Sequence, residues 1–457
     1  MKKRNPIVVV LGHVDHGKTT LLDAIRKTNV ASKEAGGITQ SIGASVVGDI
    51  TFIDTPGHAA FAKMRSRGGS VADIAILVVA CDDGVKPQTK EALQIIKDAG
   101  IPFVVAATKI DIAGVNSEVV RGELEKEEVV FEGRGGNTPF VALSAKTGEG
   151  VSHLLEVIGL LSEVNEIKGD TDSSLDAYVI ESGMEQMGPT GAVVVKNGSI
   201  KTGETLFVEG TEVKVRAMFD DKKKVVKEVL PGFPAKIIGF TIVPPVGAKV
   251  SREKINVEAK LQEKIPYEAK KVKEDEIAVV IKAGSAGSLE AVLSSIPPKV
   301  VVVDAGVGDV AGSDILLARG VGARVLAFES KIPPGVAKLA EAEKVKCERF
   351  EIIYELIQKL EEILKSGKVE IVGKAVISAS FPFDNKKIAG SKVTEGKISK
   401  GDKLTLLRSE KEVGRAKAVS LKKQKQDVAQ VGQGEEFGVL TDPQLDFQIG
   451  DVLVSSR

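Results

Sequence analysis

The stretch that decides the fold is Pro6-Ile7-Val8-Val9-Val10-Leu11-Gly12-His13-Val14-Asp15-His16-Gly17-Lys18-Thr19-Thr20. A run of branched apolar residues ends in a loop that fits G-x-x-x-x-G-K-S/T, and a helical stretch follows. That pattern is a buried strand turning into a helix through a phosphate loop. In such a loop the backbone N–H groups, here those of Asp15, His16, Gly17, Lys18, Thr19 and Thr20, face phosphate oxygens, and the helix dipole favours their charge. Lys18 is expected to reach the β- and γ-phosphates of a nucleotide, and the Thr19 hydroxyl to ligate Mg2+. A chance glycine turn would account for the motif alone. It does not account for the partners that follow in order.

Asp54-Thr55-Pro56-Gly57 closes the apolar run 50–53. Asp54 is placed to hold Mg2+ through water, and the Gly57 N–H to sense a γ-phosphate. Upstream, Gly36-Gly37-Ile38-Thr39-Gln40 contains one threonine, Thr39, able to complete the metal shell. Only a triphosphate would order that segment, which makes it the switch. Thr108-Lys109-Ile110-Asp111 ends the run 102–107, and Asp111 is placed to accept two N–H bonds from a guanine edge. Adenine offers no such donor pair, so the carboxylate selects GTP over ATP. Ser144-Ala145-Lys146 follows the run 140–143 and backs the base. His58 stands where a side chain would orient the attacking water, whereas His13 and His16 read as loop packing. No arginine finger is evident, so hydrolysis is expected to be slow without an external activator.

Composition sets the frame around this site. A chain of 457 residues, 43% apolar and 28% charged, has real cores and room for roughly three or four domains. Lys plus Arg equals Asp plus Glu, 63 each, so nucleic acid would have to be met by local patches. Absent tryptophan and scarce tyrosine argue against aromatic base-stacking platforms. Two distant cysteines, Cys81 and Cys347, form neither a metal-ligand spacing nor a disulfide framework, and read as buried thiols of a reducing cytoplasm. No run of 18 apolar residues predicts a membrane span.

The runs 6–11, 50–53, 74–80, 102–107 and 140–143 alternate with helical stretches, so residues 1–167 are expected to form a doubly wound α/β P-loop GTPase domain with its ligand at the carboxyl strand ends. A polar linker follows at 168–174. Residues 168–258 then read as a β-barrel of short strands, and 268–347 as a compact α/β domain. Phe350, Ile353, Tyr354, Ile357, Leu360, Ile363 and Leu364 share one helical face within 348–367, either as a packed amphipathic helix or as a mechanical connector. Residues 368–457 form a second β-barrel. Gly198-Ser-Ile-Lys-Thr-Gly203-Glu204-Thr-Leu206 recurs as Gly396-Lys-Ile-Ser-Lys-Gly401-Asp402-Lys-Leu404, either by duplication or as common hairpin chemistry.

The motifs GHVDHGKTT (12–20), GGITQ (36–40), DTPGH (54–58), MRSRG (64–68), ACDDGVKPQT (80–89), KVRAMF (214–219) and DAGVGDVAGSD (304–314) resemble the bacterial translation initiation factor two family of translational GTPases. The likeness covers essentially the whole chain, in that family's domain order. It implies a cytoplasmic, ribosome-stimulated GTPase cycling between GTP and GDP with Mg2+. Such a protein, a monomer off the membrane, would place initiator tRNA on the small ribosomal subunit and promote joining of the large one. The resemblance also makes His58 the water-positioning residue and Val14 and Ile38 an apolar gate around it, with a monovalent cation on Asp15. In the last barrel, which would hold the formylmethionyl end of the tRNA, it implies tRNA-binding positions Ser391, Lys422, Lys423, Gln424, Lys425, Glu436, Phe437 and Gly438, with Ser391, Gln424 and Phe437 in the initiator pocket and the lysines toward the tRNA backbone.

Thr108 departs from that family's asparagine, and Ser391, Gln424 and Phe437 from its cysteine, aromatic residue and cysteine. The altered pocket leaves open a GTP-dependent carrier of another specialised tRNA. A non-catalytic, nucleotide-stabilised RNA-binding scaffold is the third reading, and it would need no water-positioning His58. The lysines at 422, 423 and 425 are either an RNA contact or a solvated face. The long N-terminal extension of many relatives is missing, as in a short natural form or a trimmed one.

Overall fold

The computed structural model describes residues 2–28, 39–40, 42–56, 71–254, 276–366, 371–383, 386–408, 411–424 and 426–456. The chain falls into two compact units, Met1–Glu361 and Glu362–Arg457. Among the described residues no helix is long and apolar enough to cross a membrane.

The first unit opens with a six-stranded sheet in the order Gly43–Val47, Ile50–Asp54, Ile7–Gly12, Ile74–Ala80, Phe103–Thr108, Phe140–Ala142. All neighbours run parallel except the first pair. Ile7 to Leu11 are wholly buried, because a central parallel strand is covered on both faces and must read as one apolar run. The chain leaves this strand toward opposite sides, to Ile50–Asp54 on one and Ile74–Ala80 on the other. That reversal opens a crevice beyond the carboxyl ends, where the phosphate loop lies. The antiparallel edge strand Gly43–Val47 was not expected. It is only half-buried and begins with glycine, so it carries no continuous apolar run.

The polar linker is partly structured: Lys168–Gly169 pairs with Lys2–Lys3. Beyond it, Asp176–Glu185 pairs with Gly188–Asn197, then come Pro234–Ile238 and Ala217–Phe219. Thr211–Lys214 pairs with Thr205–Val208, and Lys249–Ser251 closes the circuit back to Asp176–Glu185. In the second unit Ile371–Phe383, Lys386–Ser399, Glu436–Asp442, Lys411–Lys423, Lys403–Arg408 and Val452–Ser456 close the same circuit. One long strand there replaces two short ones in the first barrel.

The repeated nonapeptide builds the same loop in both. Gly203 and Gly401 adopt φ of +91° and +96°, conformations that glycine enters freely. Their N–H groups donate to the carbonyls of Val215 and Ala418, each at 2.8 Å. The carboxylates of Glu204 and Asp402 accept the N–H of Lys201 at 3.1 Å and of Ser399 at 2.8 Å. Matching bonds within matching circuits favour duplication over shared hairpin chemistry.

The α/β part has four parallel strands, ordered Val300–Val307, Ile277–Ala283, Arg324–Phe328, Cys347–Phe350. The fourth was missed, and it removes Phe350 from the expected helical face. The helix starts at Ile353 and runs to Ser366. Its buried residues are Ile353, Leu356 and Leu360, while Tyr354 is exposed. Spacing by three and four residues defines that stripe. It includes Leu356, overlooked in the sequence, and turns Tyr354 outward.

Candidate functional site

The phosphate loop is shaped by two left-handed residues. Asp15 has φ of +61° and Gly17, at the start of helix Lys18–Arg26, has φ of +87°. Residues of this kind turn successive N–H groups into one concavity suited to an anion. A side chain at Gly12 would run into the Val78 carbonyl of the neighbouring strand, so the first glycine is demanded by packing. Lys18 is buried, and its Nζ donates to the His13 carbonyl at 2.6 Å.

Side chains from other elements hold the loop from outside. The buried Thr108 hydroxyl donates to the His16 carbonyl at 2.7 Å, so threonine grips the loop where the resembling family has asparagine. His16 Nε2 lies 3.3 Å from Asp83 Oδ2, and the Val14 N–H donates to Gln88 Oε1 at 3.0 Å. The rings of His13 and His16 meet edge to face, 5.0 Å apart. Burial pulls the His16 imidazole down to about 4 and lowers His13 as well, so both are neutral near pH 7. They pack the loop, as their surroundings in the sequence implied. Asp83 and Gln88 were not assigned by sequence, although both lie in the motif at 80–89.

Thr19 and Thr39, twenty positions apart, bring their hydroxyl oxygens within 2.7 Å of each other. Asp54 is buried at the end of its strand, and the Thr55 hydroxyl donates to the Val10 carbonyl at 2.7 Å. Where the sequence predicts the base, the Ser144 hydroxyl donates to Asp111 Oδ1 at 2.7 Å and holds that carboxyl below the usual carboxylate range. Lys109, with φ of +64°, reaches Asp82 at 3.0 Å. The Thr147 N–H donates to Ser144 Oγ at 3.2 Å, which fixes the turn carrying Ala145 and Lys146. Thr20 lies exposed on the helix after the loop. Gly57, His58 and Ile38 lie outside the described residues, so the expected γ-phosphate sensor, water-positioning residue and half of the gate have no geometry here. Val14, the other half, is half-buried in the phosphate loop.

Directly after Thr39, the Gln40 side chain leaves the nucleotide domain. Its Nε2 donates to the Glu351 carbonyl at 2.7 Å, and its Oε1 accepts the Ile353 N–H at 3.1 Å. The first N–H groups of a helix have no partner within it, so Gln40 caps helix Ile353–Ser366 from another domain. Nearby, Glu329 accepts the Ser288 hydroxyl at 2.5 Å, and Glu181 of the first barrel accepts the Gly287 N–H at 3.3 Å. Burial pushes the Glu181 carboxyl up. This polar joint was invisible in the sequence, since its partners lie from 41 to 313 positions apart.

In the second barrel Ser391 faces Phe437 across the strands, Gly390 and Lys422 both flank Gly438, and Lys392 pairs with Glu436. Phe437 belongs to the barrel core, and Ser391 is buried with its hydroxyl toward the Ala389 carbonyl at 3.4 Å. These two side chains therefore pack inward, because strand alternation points them there. Lys422, the exposed Gln424 and the exposed Glu436 remain at the surface. Lys423 pairs with Glu435 at 2.6 Å, and Lys425 lies outside the described residues. Cys81 and Cys347 are half-buried rather than buried, and burial raises both thiols, Cys347 to about 11.

A phosphate-loop motif, a close threonine pair and a Ser144-held Asp111 at the carboxyl ends of a doubly wound sheet, followed by a barrel, match the translational GTPase class. Residues 3–163 match the elongation factor Tu GTP binding domain, 174–253 match elongation factor G domain 2, and 248–361 match translation-initiation factor 2. Translation initiation factor IF-2 of Aquifex aeolicus is 40% identical over 99% of this chain, which spans 61% of that relative's length. That of Caldanaerobacter subterraneus is 39% identical over 99% of the chain and 69% of its own length. GDP-bound aIF5B from Aeropyrum pernix, a crystal structure, is 31% identical, with 99% of this chain and 92% of that one covered and a TM-score of 0.47. The chain belongs to the translation initiation factor IF-2 family.

Proposed function

We propose that this chain is a GTP-driven switch that assists translation initiation on the ribosome, hydrolysing GTP to GDP and phosphate when the ribosome stimulates it. The observation that carries the reading is the approach of the Thr19 and Thr39 hydroxyls to 2.7 Å. Two ligands on adjacent corners of a Mg2+ octahedron, with bonds of about 2.0–2.1 Å, stand roughly 2.9 Å apart. The pair thus fits the ion, and Asp54 at the neighbouring strand end supplies the carboxylate. Thr19, Thr39 and Asp54 would hold Mg2+, which would supply positive charge to offset that of the phosphates.

The chain's own residues do the rest. The loop N–H groups and Lys18 bind the phosphates, and Asp111, held ionised by Ser144, reads the guanine edge. Thr39 closes over the triphosphate, and His58 orients the attacking water between Val14 and Ile38. Asp15 is the ligand for a monovalent cation. Gln40 then favours the connector reading of helix Ile353–Ser366: the residue beside the switch threonine caps that helix, so release of Thr39 leaves the Ile353 N–H without its acceptor. The outward-facing Tyr354, on the first turn, has its phenol raised by partial desolvation and by the Asp15 carboxylate, which places the helix start near the phosphate loop.

In the C-terminal barrel, Lys422 and Gln424 are the surface positions offered to initiator tRNA, with phosphate contacts setting position rather than sequence. GTP turnover measured with and without ribosomes tests the whole reading. Stimulation by ribosomes is the expected result. Failure of guanine nucleotide to bind, or turnover indifferent to ribosomes, would end it.

A further inference from the structure

We infer that Gln88 is a positioning residue of the phosphate loop, acting through the peptide unit between His13 and Val14. The inference rests on the nucleotide-binding reading above and names a residue that reading does not use. The two ends of this peptide are held by different side chains. Its carbonyl accepts Lys18 Nζ at 2.6 Å, and its N–H donates to Gln88 Oε1 at 3.0 Å.

Gln88 is itself fixed. It lies in the first turn of helix Pro87–Ala99, after a connection tied down at several points. The Cys81 N–H donates to the Thr108 carbonyl at 2.9 Å, and Gly84 bonds back to Ala80 at 2.9 Å. Glu123 Oε2 accepts the Val85 N–H at 2.8 Å, and Lys86 pairs with Asp83 at 2.7 Å. The Lys86 N–H reaches the Thr89 hydroxyl at 3.3 Å. A half-buried amide on so constrained a turn is a rigid stop, and short-range preorganisation of this kind lowers the ordering cost of binding.

The physical consequence concerns which N–H groups are offered to phosphate. With the Val14 N–H committed to Gln88, the peptide cannot rotate to present its carbonyl to the anion. The left-handed residues Asp15 and Gly17 then start the concavity one position later. Lys18 is aligned by the same unit, because its present acceptor is the carbonyl that Gln88 holds in orientation. Losing the Gln88 acceptor frees this peptide to turn, which penalises GDP and GTP alike, since both carry the phosphates the loop encloses.

The test uses the full chain and compares Gln88→Leu, which keeps the volume and removes the acceptor, with Gln88→Asn, which keeps the amide one methylene short. Fluorescent GDP and GTP are titrated and chased, and turnover is measured over a range of GTP. Both variants are expected to release GDP and GTP about 10-fold faster, with KM raised by a similar factor and saturating turnover within about 2-fold of wild type. The melting temperature of the nucleotide-free protein should stay put. Wild-type binding with unchanged release in either folded variant overturns the inference alone, as does a loss that tracks a lower melting temperature. Wild-type protein that binds neither nucleotide overturns the nucleotide reading itself.

Discussion

The Thr108 hydroxyl and the His16 carbonyl meet at 2.7 Å in a buried setting, joining strand Phe103–Thr108 to the loop before helix Lys18–Arg26. One short side chain thereby fixes the distance between the two halves of the site. Thr108→Val, equal in shape, removes the donor and leaves a buried carbonyl without it, a cost of roughly 1–3 kcal/mol. GDP and GTP affinity should both fall about 10-fold in a titration. Thr108→Asn should bind within about 3-fold of wild type, because an amide also supplies a donor toward His16. Equal binding by Thr108→Val would remove the hydroxyl from the account.

Base selection should split between Asp111 and Ser144. Asp111→Asn replaces an acceptor by a donor, so GTP affinity is expected to drop by roughly two orders of magnitude while xanthosine triphosphate gains. Ser144→Ala only frees the Asp111 carboxylate from its 2.7 Å hydroxyl donor. The expected loss is roughly 5-fold, without a switch of base. A competition assay between GTP and xanthosine triphosphate reads both effects, and unchanged GTP preference in Asp111→Asn would refute the assignment.

The burial of His16 gives folding a definite pH dependence. Its folded pKa is depressed to about 4 from 6.5, so between those values the unfolded chain binds the extra proton. Stability from this residue is complete above pH 6.5 and drains as the pH falls toward 4. At one unit per 1.36 kcal/mol, the full loss is on the order of 3 kcal/mol. Urea titrations of wild type and His16→Gln should diverge in slope across this window. Parallel pH profiles would show that His16 is not buried neutral.

Legibility of the molecule followed the range of the interactions. The central strand Ile7–Gly12 and its loop were readable because burial on both faces writes an unbroken apolar run into consecutive residues. The half-buried strand Gly43–Val47 wrote no such run. Strand Cys347–Phe350 was absorbed into the helical pattern beside it, because Phe350 fits either period. Within the site, the groups expected to meet nucleotide lay in contiguous motifs. Gln88, Asp83 and Glu181 act on residues 67 or more positions away, and no local pattern marks a side chain whose partner is so distant. The buried Phe437 shows the converse: a motif position was legible, but the direction its side chain takes was set by the strand.

Gln40 offers the sharpest test of switching, because it reads the Thr39 segment at a point remote from the nucleotide. In the structure its amide oxygen accepts the Ile353 N–H at 3.1 Å, and its nitrogen donates to the Glu351 carbonyl at 2.7 Å. An N-cap acceptor stabilises a helix by roughly 0.5–2 kcal/mol, so its removal should speed exchange in the first turn about 2- to 30-fold. If Thr39 is held only by the triphosphate and its metal, hydrogen exchange at Ile353 and Tyr354 should be slow with a non-hydrolysable GTP analogue and faster with GDP. Gln40→Ala should exchange fast in both states while binding either nucleotide within about 2-fold of wild type, since the Gln40 amide bonds to Glu329, Glu351 and Ile353. Thr39→Ala should also exchange fast in both, and should lose magnesium-dependent GTP affinity while keeping GDP affinity. That pair of variants separates the metal end of the switch from its helix end. Identical exchange with the two nucleotides in the wild-type chain would mean that the Thr39 segment does not report the terminal phosphate to the helix, and the connector reading would fall with it.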